Sequence, residues 1–128
     1  MRVLGKHIIA ELYGCRSNIL DDPVQLEKAL VEAANRAKAK ICGKLFYKFN
    51  PQGVTGFVLI SESHISIHTW PEYNYCAIDI FTCGESTKPW LAYDYLISLL
   101  DPSNISVMEI GRGLKSQLRP IKVKKLKT

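Results

Sequence analysis

Polar and apolar residues alternate along the first segment of the chain. Across Lys6–Tyr13, Ile8, Ala10 and Leu12 fall on one side and His7, Glu11 and Tyr13 on the other, the period of a half-buried strand. The period then lengthens. Asp22, Pro23 and Gln25 make a helix start close to a capping box, and Leu26, Leu30, Ala33 and Ala37 lay an apolar stripe along one helix face. Gly43 reads as the residue just past that helix, ahead of a second strand over about 44–49. Asn50-Pro51-Gln52-Gly53 is a turn by composition, and the chain continues with a strand at 54–60, a break at 61–63 and a strand at 64–70. Pro71 to Asn74 turns the chain into another strand at 75–83. A second helix starts near 87–89 with Ala92, Leu96 and Leu99 facing inward, ends at Asp101-Pro102, and leads to a last strand at 105–110.

Strands arriving in runs between only two helices imply an α+β fold. The expected architecture is a two-layer sandwich, a largely antiparallel sheet with both helices on one face. Its other sheet face is then bare, and must be polar, bind something or meet a partner. In the strand at 64–70, Ile65, Ile67 and Thr69 share one side, while His64, Ser66, His68 and Trp70 share the other. In the next strand Cys76, Ile78 and Ile80 alternate with Ala77, Asp79, Phe81 and Cys83. If the isoleucines pack under the helices, then His68, Trp70, Asp79, Phe81 and Cys83 gather on the bare face. A histidine, a carboxylate, a thiol and two large aromatics are more chemistry than a solvated sheet needs. Taken singly, each is more often a packing or hydrogen-bonding residue, so spacing alone leaves an enzyme only slightly ahead of a binding module.

Composition narrows the classes. At 128 residues the chain fits one domain, and no apolar run approaches the roughly 20 residues of a membrane-spanning helix. The opening segment lacks the pattern of a secretory signal, so the expected location is the cytoplasm. Cys15, Cys42, Cys76 and Cys83 show neither a disulfide framework nor metal-ligand spacing, and no metal is expected. The net charge of +5 would suit nucleic acid, but seven of the Lys and Arg residues lie in a segment from Arg112 onward that holds no acid. Residues 1–111 therefore carry about −2, and the basicity belongs to a tail over 112–128 rather than to the domain.

The stretch LISESHISIHTWPEYNYCAIDIFTCG, residues 59–84, resembles the processing and catalytic segment of the prokaryotic S-adenosylmethionine decarboxylase proenzymes. The opening GKHIIAELYGC is similar to theirs as well, and the resemblance covers roughly residues 4–111. It implies a two-layer sandwich that dimerises through its sheets, with the substrate pocket between two protomers. It implies that the chain cuts itself between Glu62 and Ser63, giving a chain of 1–62 and a chain of 63–128 that begins with a pyruvoyl group made from Ser63. That group is the cofactor, and it forms a Schiff base with the substrate's amino group. By the same resemblance His68 is the processing base and Cys83 the proton donor in decarboxylation. Thr55 assists the oxyanion during cleavage, although the usual residue there is serine. Phe49, Trp70 and Glu72 match substrate-binding positions, the aromatics for adenine and the sulfonium and the carboxylate for ribose hydroxyls.

The implied activity makes decarboxylated S-adenosylmethionine, the aminopropyl donor for spermidine. Pyruvoyl-dependent decarboxylation of arginine or ornithine uses the same machinery and stays open, since His68 and Cys83 do not discriminate substrates. A nucleic-acid module and a family member that fails to process are further alternatives. Cys76 departs from the small residue common in relatives, and its position in the alternation makes it a packing residue. The basic segment after Gly113 reaches beyond the resemblance and has no role in it.

Overall fold

The computed structural model describes residues 2–121. Six strands form one sheet: β1 (Val3–Tyr13), β2 (Lys40–Lys48), β3 (Val54–Ser61), β4 (Ser63–Trp70), β5 (Tyr75–Cys83) and β6 (Asn104–Leu114). Helices α1 (Pro23–Arg36) and α2 (Pro89–Leu100) cover one of its faces. The strand order is β2-β3-β4-β5-β1-β6, and every neighbouring pair is antiparallel. This is the expected α+β two-layer sandwich. No helix among the described residues is long and apolar enough to cross a membrane.

The alternation along each strand fixes which face is dry. Ile8, Ala10, Leu12, Val58, Ile65, Ile67, Ile78 and Ile80 are buried beneath the helices, where Leu26, Leu30, Ala33, Leu96 and Leu100 meet them. Asp22 caps α1, its carboxylate accepting from the Val24 and Gln25 amides at 3.0 and 3.2 Å, with Pro23 in the first turn. Cys76 is fully buried on the helix side with its sulfur 3.9 Å from that of Cys15, a packed thiol pair. The Cys15 contact and burial both hold the Cys76 thiol protonated, which makes it inert.

Four sequence expectations are corrected. The second strand begins at Lys40, not about 44, and Gly43 lies inside it at a register shift rather than past the helix. The helix instead stops at Arg36, and Lys38 takes the left-handed turn conformation (φ 60°) that glycine ordinarily supplies, so no sequence signal marked the stop. Leu99 faces out, and Leu100 takes the buried place, because Ala92, Leu96 and Leu100 repeat every four residues. The break at 61–63 shrinks to Glu62 alone, since Ser61 ends β3 and Ser63 begins β4. The last strand runs through Leu114, so Arg112 belongs to the sheet and not to a tail; residues 122–128 of that tail lie outside the described residues.

The face away from the helices is not uniformly polar. Leu45, Tyr47, Phe57, Leu59, Met108 and Ile110 stand on it largely exposed. Strand β6 is exposed along its whole length, because α1 lies over β2 and β3 and α2 over β5 and β1. These apolar side chains stand toward the two edges of that face, on β2 and β3 at one side and on β6 at the other.

Candidate active site

Two groups of residues stand at opposite ends of β4. At its C-terminal end, Phe49, Thr55, His68, Trp70 and Glu72 line one cavity of about 320 Å³ together with Gln52, Gly53 and Thr69. Thr55 and His68 are directly opposed in the β3–β4 ladder, and the Thr55 Oγ1 lies 3.0 Å from His68 Nδ1. That bond engages one ring nitrogen and leaves Nε2 for other work. Thr69 points the other way, to the core, where its hydroxyl donates to the Leu20 carbonyl at 2.7 Å and accepts from the Val54 amide at 2.8 Å. This ties the end of β4 to β3 and to the loop before α1.

The two aromatics of this cavity are held from behind. Phe49 follows β2 in the turn 49–53, where its amide donates to the Gly53 carbonyl at 2.8 Å. The Gly53 amide donates to Asp21 at 2.7 Å, and Lys48 bridges Asp21 at 3.1 Å. The Gly53 amide, with Lys48 adding to it, holds the Asp21 carboxyl below its usual range. A depressed folded pKa means that this clasp is fully present at neutral pH and is lost only as pH falls through the acidic range below the unfolded value of about 3.9. Trp70 stacks on Tyr75 at 5.1 Å between ring centroids, and Tyr75 stacks on Tyr13 at 5.3 Å. The Tyr75 hydroxyl donates to Glu11. Burial, reinforced by that carboxylate, raises its pKa, so the phenol stays neutral.

The second group sits at the other end of the strand. Glu62 occupies the tight turn between β3 and β4, and Ser63 is the first residue of β4. The Cys83 Sγ lies 3.8 Å from the Glu62 carbonyl oxygen, a distance at which a thiol donates weakly. Glu62 and Cys83 line a separate cavity of about 360 Å³ with Val3, Leu4 and Lys115 among its walls. Gly5 pairs with Cys83 across the β1–β5 ladder, and a Cβ there would lie 2.6 Å from the Phe81 ring and 3.3 Å from the Cys83 sulfur. Only glycine lets the thiol and the ring close over β1 in this way.

Asp79 and Phe81 belong to a third cluster that links the strands beside Ser63. His7 Nε2 lies 2.9 Å from Asp79, and the Ser66 hydroxyl reaches the same carboxylate at 3.4 Å. His7, Gly5, His64, Arg112, Glu11 and Tyr75 all stand at these sites without having been singled out as site residues from the sequence. His7, Glu11 and His64 carried a signal, since alternation already set them on the polar side of their strands. Arg112 carried none, because its charge merged with the basic run that follows it.

The family model described as S-adenosylmethionine decarboxylase matches residues 6–113. The chain belongs to the S-adenosylmethionine decarboxylase family. It is 50% identical to S-adenosylmethionine decarboxylase proenzymes of Caldicellulosiruptor saccharolyticus and Caldicellulosiruptor bescii, over 98% of this chain and 100% of each relative. A proenzyme of the same description from Thermoanaerobacter sp. strain X514 is 50% identical over 96% of this chain and 98% of its own. The alignment with the Caldicellulosiruptor proenzymes thus runs well past the resemblance over 4–111, leaving little of the chain outside it. Among solved structures, the adenosylmethionine decarboxylase from Aquifex aeolicus VF5 superposes with a TM-score of 0.83 at 35% identity, covering 98% of this chain and 100% of that one.

Proposed function

We propose that this chain is a self-processing S-adenosylmethionine decarboxylase, cut between Glu62 and Ser63, whose working site is completed by a second copy of the chain. The observation that carries the reading is the setting of the Glu62–Ser63 bond. It lies in an exposed turn, with the Cys83 thiol 3.8 Å from the oxygen of the carbonyl whose carbon would be attacked.

The cleavage chemistry follows from the groups at hand. The Ser63 hydroxyl adds to the Glu62 carbonyl carbon, and the C–N bond breaks as an ester C–O bond forms. The developing oxyanion needs a donor, and a thiol directed at that oxygen is one. Removal of the Ser63 α-proton then expels Glu62 as a carboxylate. The resulting dehydroalanine takes up water, loses ammonia and leaves a pyruvoyl group at the head of residues 63–128. The surroundings suit a group formed in place, since Ser63 is a small residue and the cavity holding Glu62 and Cys83 adjoins it. The pyruvoyl group supplies a conjugated carbonyl that takes the substrate's amino group and draws the electrons released with CO2.

The remaining roles fall to side chains. Cys83 returns a proton to the substrate's α-carbon. Phe49 and Trp70 offer ring faces to adenine and to the cationic sulfur, and Glu72 accepts from ribose hydroxyls. His68 removes a proton in processing, its ring fixed by Thr55 at 3.0 Å. The product is the aminopropyl donor of spermidine synthesis.

The distance along β4 supports the two-copy site. Ser63 and His68 stand five residues apart on one strand, about 16 Å at roughly 3.3 Å per residue. One copy cannot bring its own His68 to its own Ser63. The exposed apolar sheet face offers the surface on which a symmetric partner would supply the missing half.

Intact mass of the purified protein tests the reading directly, followed by CO2 release from S-adenosylmethionine. The expected result is two fragments, with pyruvate heading the one that starts at residue 63. A single full-length mass after prolonged incubation, or CO2 from arginine but not from S-adenosylmethionine, would contradict it.

A further inference from the structure

Cutting the chain creates a mechanical difficulty. Residue 63 is held from both sides only while the turn is intact, and afterwards it is a chain end, which frays unless it is tied down. The reactive group would sit on that end. What the fold places around the next residue answers the difficulty.

His64 is flanked by a tight set of rings from neighbouring strands. It pairs with Phe81 across the β4–β5 ladder, and Phe81 pairs in turn with His7 across β5–β1. The His7 and Phe81 rings stack at 5.0 Å with 11° between their planes. The His64 ring stands edge-on to both, 6.0 Å from Phe81 at 79° and 6.4 Å from His7 at 77°. Arg112 arrives from β6 across Gly5, which has no side chain to block it. Its guanidinium carbon lies 5.1 Å from the Phe81 centroid and its Nη1 3.1 Å from His7 Nδ1. An arginine only donates, so His7 Nδ1 accepts, Nε2 carries the proton, and that N–H donates to Asp79 at 2.9 Å. Every polar atom of the His7 ring is thereby used, and the ring is held in one orientation. Phe81 and Cys83 are two residues apart on β5, so the ring that receives His64 shares its strand and face with the thiol.

We propose that His7, Phe81 and Arg112 clamp His64 and so keep the start of β4 in register after the cut, holding residue 63 beside Cys83. This rests on the cleavage between Glu62 and Ser63. These are positioning residues, and none of them is assigned a step in the reaction. His7 is contributed by residues 1–62 and the other three by residues 63–128, so the clamp also ties the two fragments together.

The test uses the full chain with His64→Ala, and His64→Phe as the conservative replacement. The wild-type chain is weighed first, and if it is uncut the cleavage reading itself fails, separately from the clamp. With wild type cut, His64→Ala is expected to cut itself at an undiminished rate, because the intact turn positions Ser63 beforehand. In the cut protein, amide hydrogen exchange over residues 64–66 should quicken by about tenfold, and kcat should fall by about tenfold or more with KM within about twofold, as expected for a misplaced reacting group. His64→Phe should restore both, since an aromatic edge is what the clamp receives. Unchanged exchange and kcat in cut His64→Ala would overturn the proposal. So would a loss that His64→Phe fails to rescue, or one that appears equally in KM.

Discussion

Ser63→Ala is expected to yield one uncut chain with no measurable decarboxylation of S-adenosylmethionine. Alanine has no hydroxyl to attack the Glu62 carbonyl, so the ester never forms and the pyruvoyl carbonyl never appears. Losing the only electrophile in the proposed site removes essentially the whole rate enhancement, on the order of 10⁶-fold or more. The fold should barely register the change. Ser63 is half-buried at the first position of β4 and lies outside the buried core, and such substitutions shift stability by about 0.5 kcal/mol or less. Mass, activity and thermal melting measured on the same preparation check all three parts. A cut Ser63→Ala chain would show that the nucleophile is misplaced.

Cys83→Ala should separate the two reactions that share the site. Cleavage should survive, slowed by no more than about tenfold, because a weak S–H donor near the Glu62 carbonyl contributes about 1 kcal/mol. Decarboxylation should fall much further, by about 10²–10⁴-fold in kcat, the usual loss on removing a proton donor placed at the reacting atom. Time courses of cleavage and of CO2 release on one protein make the comparison. Failure to cut at all would make Cys83 indispensable to processing rather than a minor aid to it. Undiminished turnover would remove it from the reaction.

Much of the fold was legible because alternation and helix stripes report burial directly. Ile65 and Ile67 against His64 and His68 placed the two faces of β4 correctly, and the Asp22-Pro23 start placed α1. The misplaced features share a cause: a tertiary arrangement overrode a local signal. Lys38 made the turn that Gly43 was read as marking, and Leu100 rather than Leu99 met the core. The site was legible only in part. Alternation gathered His68, Trp70, Asp79, Phe81 and Cys83 onto one face, but it contains no distance along the strand direction between separate clusters. The division of that face into a His68 cavity and a Glu62–Cys83 cavity emerged from strand register, which depends on β1 entering between β5 and β6. The same register brings Arg112 over Gly5 to Phe81, a contact between residues more than thirty positions apart that no local pattern announces.

The two-copy site is the central claim, and complementation between two defective chains tests it most directly. Ser63→Ala and His68→Ala chains, distinguishably tagged, should each remain uncut when made alone. Made together, a mixed dimer unites the Ser63 of one chain with the His68 of the other. About half of the His68→Ala chains should then be cut, since random pairing puts that share into mixed dimers, and decarboxylation should return. His68→Ala chains that stay whole inside demonstrated mixed dimers would contradict the account.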